Sequence, residues 1–289
     1  MKINPLINEF VKGLWMMHIP ALEIYGVMAY RLFSGERIET VRSDEPKSIL
    51  NFYTQSGRKV GSDENLPQGS VAVVDMIGPL IKYGDWCTYG ADEITNALAV
   101  ANNNPKVSGI ILNVDGPGGS VSAVAPFQAF ATQKKKPVVA LYDQCCSAHL
   151  YAAYLVADYV MAANDISSMI GSIGVVLSWS DNKKYLESKG YEFHEVYPPE
   201  SEHKNEAFRL ASEGKYDLIK QEMLSPMAIK FQDYVKAARP NLKASEKGVL
   251  TGKVFLADDA LRLGFADGIG SMNDAINTVL MLSEINRYK

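Results

Sequence analysis

The chain has 289 residues, a formal net charge of -4, and 47% hydrophobic against 21% charged residues. That is the balance of an ordinary globular protein able to bury one large core or two small ones, and it excludes the basic footprint of a nucleic-acid binder. The three cysteines, Cys87, Cys145 and Cys146, form neither a disulfide framework nor a metal-ligand spacing, so a reducing compartment and no metal or other cofactor are expected.

The first residues carry one lysine but no long apolar run, and Glu9 and Lys12 interrupt them, which is not a secretory signal. Residues 13–30 are rich in apolar side chains but contain His18, Pro20 and Glu23. A membrane span needs about 20 apolar residues, so no membrane anchor is expected. Residues 10–33 read as an amphipathic helix, with Trp15, Met16, Leu22 and Tyr25 among those available for its apolar face. Residues 36–68 are polar and read as a linker with little structure. Residues 1–69 are therefore taken as an N-terminal helical arm and linker, which either packs on the rest or docks a partner, and 70–289 as the main domain.

From Ser70 a regular alternation begins. Strands are expected over 71–77, 107–114, 137–142, 158–162, 171–177 and 192–196. Helices are expected over 91–102, 122–134, 147–156, 181–189, 216–238, 256–263 and 272–282. Strands alternating with helices at this spacing imply parallel β-α units, an α/β fold. The run Lys134 to Lys136 before Pro137 reads as a solvated helix end rather than an anion site.

Two turns carry chemistry. Asp115-Gly-Pro-Gly-Gly119 follows a buried strand and precedes a helix. Glycines there let the backbone approach a ligand and leave N–H groups free, although a tight turn needs glycine anyway. It is neither a dinucleotide fingerprint nor a P-loop. Some 30 residues on, Cys145-Cys-Ser147-Ala-His149 opens an apolar helix. Ser147 there is either an N-cap or a presented nucleophile. Cys146 is a rival nucleophile or simply a small buried thiol. His149 lies too close in sequence to reach back to Ser147 as a base. A lysine can serve instead, once burial away from carboxylates lowers its pKa. Lys204 is the candidate, although Glu200, Glu202 and Glu206 flank it.

Taken together, Ile111-Leu-Asn-Val-Asp-Gly-Pro-Gly-Gly-Ser-Val121, Cys145 to Ala153, Ala157 to Asn164, Ile170-Gly-Ser-Ile-Gly-Val175 and Gly252 to Asp267 resemble the signal peptide peptidase A family of serine peptidases. The resemblance spans residues 70–275. It implies a Clp protease/crotonase-like spiral of β-β-α units and a Ser-Lys dyad. By position, Ser147 matches the nucleophile and Lys204, in Lys204-Asn-Glu-Ala-Phe-Arg209, the base. Gly119 and the Ala148 amide match the oxyanion hole, and Ser172 is a candidate to orient the lysine ammonium. The family usually has Ser-Gly-Gly where this chain has Ser147-Ala148-His149. Alanine keeps the amide, and the histidine adds bulk at the site.

The N-terminal Leu14-Trp15, then His18-Ile-Pro-Ala-Leu-Glu-Ile24, resembles the openings of head maturation proteases of tailed phages. That branch implies a polypeptide substrate among capsid, portal or scaffold proteins, and the family resemblance as a whole implies a homo-oligomer. It also implies a place in the bacterial cytoplasm, inside an immature phage head. Other readings are a cytoplasmic signal-peptide or general peptide-degrading peptidase of the same family, a scaffold protein that keeps the fold without chemistry, and a crotonase-type acyl-CoA enzyme.

Overall fold

The computed structural model describes residues 4–17, 19–35, 48–61, 65–84, 88–179 and 181–288. His18, Cys87 and residues 36–47 of the expected linker lie outside them. Asn4 caps α1 (Pro5–Lys12) by accepting from the Leu6 N–H at 2.8 Å, and Gly13, at φ +69°, ends it. The chain is then extended as β1 (Leu14–Met17) before α2 (Ile19–Phe33). The single helix expected over 10–33 is thus two helices around a strand. Gly13 breaks the helical run, and β1 buries Trp15 and Met17 in one apolar cluster and Met16 in another, the period of two that a strand requires. Residues expected to hold little structure also contribute a strand, β2 (Leu50–Tyr53), antiparallel to β3 (Ser70–Ile77).

The elements α3 (Ala91–Asn103), β4 (Val107–Gly116), β5 (Gly118–Ser120), α4 (Val124–Ala131), β6 (Val138–Cys146), α5 (Ala148–Val156), β7 (Tyr159–Ala162), β8 (Met169–Gly171) and β9 (Val176–Leu177) follow. After them come α6 (Lys183–Glu187), α7 (Glu206–Ser212), α8 (Asp217–Ile219), α9 (Ser225–Ala238), β10 (Val254–Leu256), α10 (Ala257–Leu263), β11 (Gly268–Ile269) and α11 (Met272–Arg287). Eight strands form one sheet in the order β10-β8-β6-β4-β3-β2, with β7 on β6 and β11 on β7. Its centre, β3-β4-β6, is parallel, and β6 parts at its end, pairing first with β7 and then with β8. Strict alternation of buried and exposed side chains is absent from the middle of β4, where Ile110, Ile111 and Leu112 are all buried, because helices cover both faces. α11 lies on one face, and α3, α4 and α5 lie on the other. A second sheet, β5-β1-β9, is antiparallel throughout. The unit β4-β5-α4, whose two strands enter different sheets before the helix returns, matches the β-β-α arrangement implied by the resemblance.

Three expectations after residue 170 fail for local reasons. Ser172 takes φ +56°, which divides the strand expected over 171–177. Residues 192–196 pair with no described strand, and their side chains are exposed, so extension there buries nothing. The helix expected over 216–238 contains a π-helical turn, Lys220–Leu224, directly before Pro226 in the first turn of α9. The lysine run is structural rather than merely solvated: Lys134 Nζ donates to the Val156 carbonyl and pairs with Asp158, and Lys136 Nζ donates to the Ala101 and Asn104 carbonyls.

Candidate active site

The parallel strands β4, β6 and β8 set the site at their carboxyl ends. The register places Gly116 beside Cys145, and Cys146 beside Gly171. The glycine turn after β4, the Ser147 turn after β6 and the Ser172 turn after β8 therefore leave the same edge of the sheet side by side.

Ser147 joins β6 to α5 in one residue, with φ 55° and ψ -112°. That lies outside the small left-handed region open to side chains and costs roughly 1–3 kcal/mol. The surroundings hold it there: its N–H donates to the Gly171 carbonyl at 2.9 Å, and its carbonyl accepts from the Tyr151 N–H at 3.0 Å. Its side chain makes no cap bond to α5, so the N-cap reading does not describe it. Such a strained strand-to-helix turn presents a hydroxyl away from the backbone. The residue is 1% exposed. Ala148 is the first residue of α5, and its N–H has no acceptor within the helix by position.

The glycine turn is closely packed. Gly118 sits at φ +110°, and a Cβ on Gly119 would collide with the Leu80 carbonyl. Leu80 N–H donates to the Gly118 carbonyl at 3.0 Å, and Ser120 N–H donates to the Leu80 carbonyl at 2.9 Å. His149, noted in the sequence only for its bulk, proves to be part of this construction. It is buried, and its Nδ1 accepts from the Gly118 N–H at 3.1 Å, while Nε2 has no hydrogen-bond partner among the described residues. Burial pushes its pKa down to about 3, so it is a neutral imidazole that holds the glycine turn against α5. A Cβ on Gly116 would collide with its Nε2, which explains the glycine at that position. The only sequence signal was the departure from Ser-Gly-Gly.

Burial also resolves the rival nucleophile. The Cys146 thiol is pushed up to about 12 and that of Cys145 well above its usual range, which leaves both as inert thiols.

The remaining candidates are less assembled. Ser172 is partly exposed, and its N–H donates to the Lys253 carbonyl at 2.8 Å. Lys204 is exposed, in a turn closed by Arg209, which donates to the carbonyls of Lys204 at 3.1 Å and of Glu202 at 2.9 Å. Two of the acids flanking it turn to His203 instead: Glu206 at 2.8 Å and Glu202 at 3.1 Å, raising the His203 pKa, the Glu206 hydrogen bond first. Among the described residues no hydrogen bond joins Lys204 to Ser147 or Ser172. Ser147, Ser172 and Asn205, the neighbour of Lys204, are nonetheless the three non-glycine residues at positive φ among those described. Backbone strain thus marks each of the three turns that carry candidate side chains. Among the described residues no group of three or more His, Cys, Asp or Glu could hold a metal, and no helix is long and apolar enough to cross a membrane.

The chain is 28% identical over 217 residues to Protease 4 of Haemophilus influenzae, covering 74% of this chain and 34% of that protein. It is 26% identical over 254 residues to the head-tail preconnector protein GP5 of Enterobacteria phage P21, covering 83% of this chain and 49% of that protein. It therefore spans about a third to a half of the length of these relatives. Among solved structures it is similar to the 1510-N membrane-bound stomatin-specific protease in complex with a substrate peptide, at 17% identity and a TM-score of 0.48 over 74% of this chain and 80% of that one. Residues 130–286, more than half of the chain and including Ser147, Ala148, Ser172 and Lys204, match Peptidase family S49, and the chain belongs to that family.

Proposed function

We propose that the protein is a serine endopeptidase in which Ser147 is the nucleophile and Lys204 the general base. The observation that carries the reading is the strained Ser147 turn, held at the end of β6 beside the glycine turn. Neutral Lys204 takes the proton from Ser147 Oγ as the oxygen attacks the scissile carbonyl. The Gly119 and Ala148 N–H groups donate to the oxyanion, and the Lys204 ammonium returns its proton to the leaving amine. Water, deprotonated by the Lys204 amine, then releases the acyl group and restores the Ser147 hydroxyl. The Ser172 hydroxyl orients the ammonium.

A lysine in water stays charged at neutral pH, so this base needs burial. Tyr191, Phe193, Val196, Phe208 and Tyr216 leave apolar surface exposed around the Lys204 segment. A homo-oligomer that covers this surface would supply the missing desolvation. Residues 70–289 would form the peptidase domain and residues 1–69 its arm and linker.

The similarity to a phage head-tail preconnector protein and the Trp15 to Ile24 pattern favour capsid, portal or scaffold proteins as substrates, cut in the host cytoplasm during head assembly. The test is cleavage of unfolded casein by wild type beside Ser147→Ala. Cleavage by wild type alone is expected; equal cleavage by both would reject the nucleophile.

A further inference from the structure

We propose that residues 14–17 occupy the peptide-binding slot of the catalytic site, with Met16 in the place of the residue whose carbonyl is attacked, so that a substrate strand must replace them. The inference rests on the peptidase reading and concerns how its site is closed and what it selects.

β1 is the central strand of the second sheet, antiparallel to β5 on one side and to β9 on the other. The register sets Trp15 opposite Ser120, Met16 opposite Gly119 and Met17 opposite Gly118; on the other side Leu14 faces Leu177 and Trp15 faces Val176. The Gly118 carbonyl and the Ser120 N–H are directed to Leu80. Strand alternation therefore turns the Gly119 amide to the other side, toward Met16. This is the amide that the reaction needs for its oxyanion, and it cannot serve a substrate while β1 lies there. The 1% exposure of Ser147 agrees with a site that is filled. An extended segment inserted between two strand edges, with main-chain pairing on both sides, is also how a polypeptide substrate would bind.

The side chains of β1 describe the subsites. Trp15 and Met17 enter one apolar cluster with Leu22. Met16 points the other way and lines a cleft of about 210 Å3 with Val121, Val124, Tyr151, Met227 and Phe231. Tyr151 of this lining lies one helical turn beyond Ser147, which sets the cleft on the helix that Ser147 opens. It fits an unbranched or aromatic apolar side chain immediately before the scissile bond.

α1 fastens the strand. Glu9 is 2% exposed; its carboxylate accepts from the Ser122 hydroxyl at 2.9 Å and pairs with Lys12 at 2.6 Å. Being part of the same chain, β1 competes at an effective concentration in the millimolar range, which slows a dilute substrate without excluding it.

The test uses the full chain and a small fluorophosphonate, with the rate of adduct formation at Ser147 read by peptide mapping. Met16→Pro removes a ladder N–H from β1, and Glu9→Ala releases its anchor. Both should label at least about tenfold faster than wild type, the loss of an intramolecular competitor, and casein cut by them should show Met, Leu or Phe before the cut. Equal labelling of Ser147 in all three proteins would overturn the inference and leave the peptidase reading standing. No labelling of Ser147 in any of them would remove both. Should neither variant unfold cooperatively, hydrogen exchange on Ser147→Ala decides: the amides of Trp15 to Met17 should lose protection as casein is added, and protection unchanged at saturating casein would overturn the inference.

Discussion

The turn that carries Ser147 and the turn that carries Lys204 belong to one proposed reaction but are built in opposite ways. Ser147 lies between a parallel strand buried on both faces and a buried helix, its backbone bonded to Gly171 and Tyr151, with His149 bracing the neighbouring glycines. Lys204 lies in an exposed turn where Glu202 and Glu206 are engaged with His203. A nucleophile gains from a rigid, strained backbone that the core can hold. A lysine base gains from desolvation, which this turn does not supply by itself. On the proposed reading the single chain completes one half of the site, and packing over residues 191–216 would finish the other.

The largest effects should come from the two reacting side chains. Ser147→Ala and Lys204→Met should each lower kcat by on the order of 10³-fold or more while leaving the fold intact, measured by casein cleavage and circular dichroism. His149→Ala should be next. It removes the acceptor that holds Gly118, and kcat should fall about 10²-fold, the scale of a misplaced oxyanion donor, with KM changed much less. His149→Asn, whose Oδ1 can accept from the Gly118 N–H, should recover part of that loss; no recovery, or a loss wholly in KM, would show that His149 only fills space.

On the stability side, Arg239 forms a bidentate pair with Asp267, at 2.7 and 2.8 Å, and donates to the Gly264 carbonyl. Asp267 in turn accepts from the Val160 N–H. Arg239→Leu leaves a partly exposed carboxylate without its cation and removes the bond to Gly264, and should cost about 1–2 kcal/mol in chemical denaturation.

His149 also predicts a pH dependence. Its pKa is about 3 in the fold and 6.5 in the unfolded chain, so unfolding takes up a proton between those values. Stability contributed by the neutral ring is fully present above pH 6.5 and falls as the pH drops toward 3, by about 1.4 kcal/mol per pH unit. His149→Asn should flatten that slope in denaturation curves at about pH 7 and 5. The smallest effect expected is a gain: Ser147→Gly relieves the backbone strain and should be about 1 kcal/mol more stable than Ser147→Ala.

Much of the serine half was legible in the sequence because its signals are local. The run of β4 followed by glycines, and the small residues before an apolar helix, each declare a strand-to-helix turn. What the sequence hid depends on partners far along the chain. The role of His149 appears only when Gly118 lies against it. Leu14 to Met17 read as helix because their apolar run has no neighbour in sequence to show that β5 and β9 flank it. Ile49 to Val60 looked like linker because the pairing of Phe52 with Ala72 is not written in polarity. For the lysine segment, an expected strand over 192–196 failed because alternation implies a strand only where one face is buried.

The most direct test of the account is to identify the residue that a fluorophosphonate modifies, in wild type and in Lys204→Met. An adduct on Ser147 is expected in the wild type, and none, or one formed at least about a hundredfold more slowly, without the lysine base. An adduct on Cys146 or another side chain, or equal rates at Ser147 in both proteins, would contradict it.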